Sequence, residues 1–309
     1  MSGLADRVTI DLPDGLVARP TTRDDVDAIY RLVAACEQVN DGKVEIDRAD
    51  VEAGFERFGF DPATDSVLVF EGSAPVAYAE LYLGRGEGGV APSHRGRGIG
   101  TALLAWIEEC ARVAGEREVG QTTTDGDARA RELYLANGYE PSWVAWIIRT
   151  ELSASPEPPD VPVGISIRPF ELTDARPAQE MIDAAFSEWE GRDPSPYEVW
   201  ATHILEHPAF APELSPLAFD GDELVGAVLS FDVPPEGWIE QVATRASHRG
   251  RGIAQALLRT AFVGFAGRGY RIAGVSTESR TGALGLYEKV GMRVVRQYTR
   301  YRKELEGPG

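Results

Sequence analysis

The heptapeptide Ser93-His94-Arg95-Gly96-Arg97-Gly98-Ile99 recurs unchanged as Ser247-His248-Arg249-Gly250-Arg251-Gly252-Ile253, 154 residues further on. A long identical match at a fixed offset marks repeated architecture. Nearly the same register holds outside it. Leu133-Tyr134 matches Leu286-Tyr287, Asn137-Gly138-Tyr139 matches Val290-Gly291-Met292, and Val17-Ala18-Arg19-Pro20 matches Ser166-Ile167-Arg168-Pro169. The 309 residues therefore read as two copies of one fold of roughly 150 residues, an ordinary domain size. Between them, residues 153–162 carry four prolines, which disfavour helix and central strand and suit an extended spacer. The expected division is residues 1–152, the spacer, and residues 163–309.

Both copies show the same order of elements. A short strand ends at Arg19 or Arg168, and a helix with apolar residues at helical spacing follows (Val26, Ile29, Val33; Ala178, Met181, Ile182, Ala185). Two strands joined by a tight turn come next, around Gly72 and Gly221. A further strand runs into the heptapeptide, and a helix with an apolar stripe follows it (Leu103, Leu104, Ile107; Leu257, Leu258, Phe262). Each copy closes with a strand, a helix bearing the Leu-Tyr pair, and a last strand, Trp143 to Arg149 or Val294 to Arg300. This order argues an α/β layer fold.

Composition narrows the function. With 31 basic and 49 acidic residues the net charge is −18, which repels nucleic acid and anionic membrane surfaces and favours small or cationic partners. No apolar run approaches the ~18 residues of a spanning helix, and the opening residues lack a signal-peptide pattern, so a cytoplasmic location is expected. Cys36 and Cys110 are too few for a disulfide framework or a cysteine zinc site. His203 and His207 lack a nearby third ligand, and no metal is expected. Gly84, Gly86 and Gly89 spell a dinucleotide fingerprint without the helix it needs, and read as a turn.

In each copy the heptapeptide lies between a strand and a helix. Small residues there let backbone approach a ligand, and the helix start offers unpaired N–H groups and partial positive charge, a setting suited to a pyrophosphate. Arg95, Arg97, Arg249 and Arg251 add charge able to bind phosphate oxygens. Arg-x-x-Gly-x-Gly/Ala, preceded by Val90-Ala91-Pro92-Ser93-His94 and joined by the later Leu-Tyr-x-x-x-Gly pattern, resembles the motifs of the GNAT acetyltransferases. The tandem arrangement is most similar to two-domain acetyltransferases of the mycothiol synthase type. The resemblance implies two domains, each a mixed, mostly antiparallel sheet flanked by helices, with acetyl-CoA as co-substrate and no metal. It implies that Val90 and Ala91, and in the second copy Val242, Ala243 and Thr244, lie along the pantetheine. It assigns the phosphates to Arg95, Gly96, Arg97, Gly98, Ile99 and Gly100, and to Arg249, Gly250, Arg251, Gly252, Ile253 and Ala254.

By the same resemblance Tyr134 and Tyr287 stand where a tyrosine protonates the departing thiolate, although a tyrosine there serves equally as core packing. Strand alternation offers a base. Glu240 lies nine positions before Arg249 and Glu87 eight before Arg95, so they fall on opposite faces, and the resemblance implies a basic glutamate on the face of Glu240. Its alternative is a solvated strand glutamate. His94 and His248 read as structural hydrogen-bonding residues at the turn lip. Glu188, Glu190, Asp193 and Glu198, interleaved with Trp189, Tyr197 and Trp200, suit the wall of an amine pocket. The expectation is an N-acetyltransferase acting on a primary amine of a small molecule, as monomer or homodimer. Its chemistry, with Tyr287 and Glu240, is expected in the C-terminal copy, and the N-terminal copy is expected to be a degenerate or regulatory CoA-binding domain. The alternatives are a non-catalytic acyl-CoA sensor and a protein or peptide amine acetyltransferase.

Overall fold

The computed structural model describes residues 9–154, 159–188 and 194–305. Part of the proline-rich spacer, and Trp189, Glu190 and Asp193 of the expected amine wall, lie outside these residues. The first sequence copy forms β1 (Leu16–Pro20), α1 (Val26–Asn40), α2 (Arg48–Phe55), α3 (Pro62–Asp65), β2 (Ser66–Glu71), β3 (Ala74–Tyr82), β4 (Arg85–Val90), α4 (Ile99–Ala114), β5 (Glu118–Thr124), α5 (Ala128–Ala136) and β6 (Glu140–Glu151). The second forms β7 (Ile165–Pro169), α6 (Ala175–Phe186), α7 (Tyr197–Ile204), β8 (Pro216–Asp220), β9 (Glu223–Val233), β10 (Glu236–Thr244), α8 (Ile253–Gly267), β11 (Ile272–Glu278), α9 (Leu284–Lys289) and β12 (Arg293–Glu304).

The chain packs as two units, residues 1–143 with 298–309, and residues 144–297. The N-terminal unit holds strands in the order β1-β2-β3-β4-β5-β12, and the C-terminal unit holds β7-β8-β9-β10-β11-β6. Pairing is antiparallel except for β4 with β5 and β10 with β11. The sequence order had each copy closing on its own last strand. Instead the last strand of each copy completes the other unit: Tyr301 lies opposite Gln121, and Ile148 opposite Val275. Periodicity fixes which face of a strand is buried but says nothing of which of two equivalent edges it joins.

In the N-terminal unit α4 covers one sheet face, burying Ile99, Leu103, Leu104 and Ile107 against Val67, Val69 and Val119. Helices α1 and α2 cover the other, with Val26, Ile29, Val51 and Phe55 against Leu68 and Tyr78. The C-terminal unit repeats this: α8 packs with Val225, Ile239 and Val275, and α6 with α7 against Leu217, Leu229 and Ala243. Among the described residues no helix is long and apolar enough to cross a membrane.

Candidate active site

Each unit carries a cleft where its parallel strands part. The β4–β5 ladder ends at Gly86 opposite Gln121, and the β10–β11 ladder at Ile239 opposite Val275. Beyond those points the two strands diverge toward the repeated loop. The Ala91 N–H donates to the Val76 carbonyl of β3 at 2.8 Å. By strand alternation the N–H groups of Gly88 and Val90 then point the other way, into the gap. The Arg245 N–H donates to the Val225 carbonyl at 2.9 Å, which aims those of Val242 and Thr244 likewise.

At the wide end sits the helix start. Gly98 and Gly252 both have φ +84°, a left-handed conformation that L side chains adopt only with strain, and each caps a long helix. The first intrahelical bonds run from Ala102 to Gly98 and from Ala256 to Gly252. The N–H groups of Ile99, Gly100 and Thr101, and of Ile253, Ala254 and Gln255, therefore have no intrahelical partner. The loop is braced in both units. His94 Nδ1 lies 2.8 Å from Ser93 Oγ and its Nε2 3.1 Å from Glu71 of the hairpin end, and Arg97 donates to Glu71 at 2.7 Å. His248 repeats this with Ser247 and Asp220, and Arg251 donates to Asp220 at 3.2 Å.

The N-terminal cleft has a volume of about 660 Å³ and is lined by Val90, Arg95, Gly96, Gly98, Ile99 and Gly100, with Tyr134 on its wall. The C-terminal cleft, about 450 Å³, is lined by Val242, Ala243, Thr244, Arg249, Gly250, Gly252, Ile253 and Ala254. Ala91, Arg97 and Arg251 lie off these walls, and the two arginines turn to the hairpin carboxylates.

The tyrosines differ. Tyr134 is only partly exposed, with its ring 5.8 Å from Tyr139 and 5.4 Å from Tyr301. Burial first, then the charges of Asp127 and Glu87, push its hydroxyl well above the ordinary value. Tyr287 is 5% exposed, belongs to the core with Leu257 and Leu258, and does not line the cleft; burial pushes its hydroxyl up to about 12.

The carboxylates also part from the alternation count. A register shift between Ile239 and Gln241 leaves Glu240 as the extra residue of a bulge, which resets the face of every residue after it. Glu240 faces His203 at 3.2 Å and accepts from Trp238 Nε1 at 3.1 Å. Gln241, opposite Leu229, is bonded by Trp200 Nε1 at 3.0 Å. Strand β4 has no bulge, and Glu87 lies directly opposite Glu80 on the α1–α2 face, where the counterpart in the second copy is Gln241. Glu80 is buried; it accepts from Tyr78 and from Arg57, whose guanidinium lies over the rings of Phe60 and Tyr82. The Glu87 side chain is 52% exposed, with Arg85 3.5 Å away. Desolvation first, then the Glu80 charge, push its carboxyl above the usual range. The Glu80–Tyr78–Arg57 cluster was not foreseen, because Arg57, in the segment after α2, meets Tyr78 and Glu80 of β3 only in the folded unit.

Of the expected amine wall, Glu188 pairs with Arg249 and Trp200 is buried against Gln241. Tyr197 stacks with Arg176, 4.1 Å from its ring centre.

Comparison with known proteins agrees with this architecture. Residues 178–292 match the acetyltransferase (GNAT) family, and residues 63–141 match an acetyltransferase (GNAT) domain. The chain is 30% identical over 240 residues to mycothiol acetyltransferase of Geodermatophilus obscurus, covering 71% of this chain and 75% of the relative. It is 31% identical over 135 residues to aminoalkylphosphonate N-acetyltransferase of Salmonella typhimurium, covering 40% and 84%. The GCN5-related N-acetyltransferase from Sphaerobacter thermophilus superposes with a TM-score of 0.83 at 34% identity, covering 97% of this chain and 98% of that one. With a strand-parting cleft and a family match in each unit, the chain belongs to the GNAT acetyltransferase family and is an acyltransferase built from two such domains.

Proposed function

We propose that this chain transfers the acetyl group of acetyl-CoA to a primary amine of a small molecule, and that the N-terminal cleft carries out the transfer. The observation behind the second clause is the position of the tyrosines: Tyr134 is on the wall of its cleft, whereas Tyr287 lies in the core beside its own. The clefts suit the donor. Each opens on glycine-capped helix N–H groups and a motif arginine, and has strand N–H groups turned into the gap between its parted strands.

Acetyl-CoA would supply an acetyl group activated as a thioester. The helix start at Ile99 to Thr101 would hold phosphate oxygens, and the N–H groups of Gly88 and Val90 would hold the extended arm and the thioester oxygen. Tyr134, whose hydroxyl keeps its proton through neutral pH, would deliver that proton to the leaving sulfur. Glu87, on the α1–α2 face of β4 and not on the cleft wall itself, would take the proton of the amine through a relaying water, a role that its raised carboxyl favours. The C-terminal cleft would bind CoA without transfer. A small amine acceptor is supported by the aminoalkylphosphonate enzyme, whose name specifies such a substrate.

The test combines acetyl-CoA with a panel of small amines, follows release of CoA thiol, and identifies acetylated products by mass spectrometry. Gly98→Val, which forces a branched side chain into a left-handed position at the helix start, should abolish turnover and remove one binding event from calorimetry. Unchanged turnover in that variant would overturn the assignment to the N-terminal cleft.

A further inference from the structure

The motif arginine of the N-terminal cleft is committed to a hydrogen-bonded chain. Arg95 Nη1 donates to Asn40 Oδ1 at 2.9 Å, and Asn40 Nδ2 donates to Asp127 Oδ2 at 2.7 Å. Arg95 follows β4, Asp127 follows β5, and Asn40 is the last residue of α1. Three side chains thus tie together the far ends of the two strands whose parting makes the cleft, and all three line it. The chain continues into the helix that carries Tyr134: the other Asp127 oxygen accepts the Ala130 N–H at 2.9 Å and caps α5. The end of α1 is seated against the same loop. Thr124 Oγ1 donates to Asp41 Oδ1 at 3.0 Å, and a Cβ at Gly126 would meet the Asn40 carbonyl oxygen at 2.6 Å.

We infer that Asn40 is a positioning residue for the transfer reaction, its side-chain amide fixing the width of the N-terminal cleft and the placement of α5, hence of Tyr134, against the donor loop. This rests on the reading that the N-terminal cleft performs the transfer. The residue type follows from the two bonds, since the side chain must accept on the Arg95 side and donate on the Asp127 side. A neutral amide does both, whereas a carboxylate only accepts and an ammonium only donates. The C-terminal unit shows the contrast. Arg249 pairs with Glu188, which can only accept, and Thr281 bonds to the Glu278 carbonyl, from the Ala283 N–H and with the Thr277 hydroxyl of β11. Helix α9 carries no side-chain cap.

The experiment is a swap. Asn40→Asp keeps the shape and the acceptor for Arg95 but removes the donor and sets two carboxylates in contact. We expect kcat for acetyl transfer to fall roughly 10- to 100-fold, the scale of a small misplacement of a reacting group. Asp127→Asn alone should cause a similar loss, because two amide donors then face each other. The double substitution Asn40→Asp with Asp127→Asn restores one donor and one acceptor in reversed order. Asparagine also caps a helix as well as aspartate does, and we expect the double variant to return within about threefold of the parent enzyme.

A second readout is pH. In Asn40→Asp alone, a protonated carboxyl would again accept and donate, so the ratio of variant to parent kcat should rise as pH falls. The charged groups around it are Arg95, which holds its proton off, and Asp127 and Asp41, which favour it, with the Cys36 thiol nearby. A silent Asn40→Asp, or a loss that Asp127→Asn fails to repair, would overturn the inference. Should the single variants unfold, recovery of fold and activity in the double variant supports it and failure to recover overturns it. A silent Tyr134→Phe in the same assay would overturn the reading of the cleft itself, and this inference with it, whatever the swap did.

Discussion

The two clefts begin from the same seven residues and end differently. Both have the left-handed glycine, the free helix N–H groups, the parting strands and the histidine braced against a hairpin carboxylate. They diverge away from the heptapeptide. The N-terminal cleft has a regular β4, a nine-residue α5 capped by Asp127 and a tyrosine on its wall. The C-terminal cleft has a bulged β10, a six-residue α9 without a side-chain cap, and its tyrosine in the core. On the proposed reading, the loop would hold phosphate through its backbone, and such a unit survives duplication because few side chains enter into it. The tyrosine would have to be aimed, and its aim would depend on the cap, length and packing of a helix some forty residues away.

The strongest way to break this contrast is to remove the two hydroxyls in turn. Tyr134→Phe keeps the ring against Tyr139 and Tyr301 and should lower turnover roughly 10²- to 10⁴-fold, with acetyl-CoA affinity nearly intact. Tyr287→Phe should leave turnover within about twofold, since a hydroxyl off the cleft wall has nothing to protonate. The opposite pattern in steady-state thiol release would place the chemistry in the C-terminal copy.

The carboxylates sharpen it at a smaller scale. Glu87 must be ionised to act as a base, and its carboxyl is held above the ordinary range. The parent enzyme should therefore lose kcat/KM on the acid side at a higher pH than a solvated glutamate would produce. Glu87→Gln should lower kcat/KM by about 10²-fold and abolish that limb. Glu240→Gln should do neither, because Glu240 is occupied with His203 and Trp238. An acid limb that persists in Glu87→Gln and disappears in Glu240→Gln would invert the comparison.

What was legible in the chain follows from the range of each interaction. The repeat, the order of elements and the loop-to-helix junctions are local, and they appear where the 3.6- and 2-residue periods place them. The face of Glu240 was not legible, because one inserted residue at a bulge reverses the count and nothing in Ile239-Glu240-Gln241 announces it. Glu87 was set aside by the same count. Nor was the exchange of β6 and β12 legible, since two copies of one fold offer two equivalent edges and both strands satisfy either. Asn40, Arg95 and Asp127 meet only in the folded unit; they are 55 and 87 residues apart in the bonds they make.

The smallest expected effect concerns a feature on which the two units agree, and it tests whether their likeness is energetic as well as geometric. Arg19 holds Asp25, and Arg168 holds Asp174, each through two bonds of 2.7 Å, with the guanidinium over Phe70 or Phe219. Both carboxylates are nearly buried, and the arginine bonds hold both below the usual range. A carboxyl group whose folded value is depressed adds stability above its unfolded value, and that stability fades as pH falls through the unfolded and then the folded value. Asp25→Asn and Asp174→Asn should therefore each cost about 1.5–2 kcal/mol at neutral pH, the worth of a charge-assisted pair in a partly buried site. The deficit relative to the parent should shrink as the pH drops below about 4. Asp25 should show the slightly larger loss. Besides the Thr22 N–H it accepts the Thr22 hydroxyl at 3.0 Å, whereas Asp174 accepts the backbone N–H of Glu171, whose side chain offers no hydroxyl. Urea titrations of both variants at pH 7 and pH 3.5 measure this. A deficit of equal size at the two values would show that the pair contributes through packing of the arginine on its aromatic ring, and not through its charge.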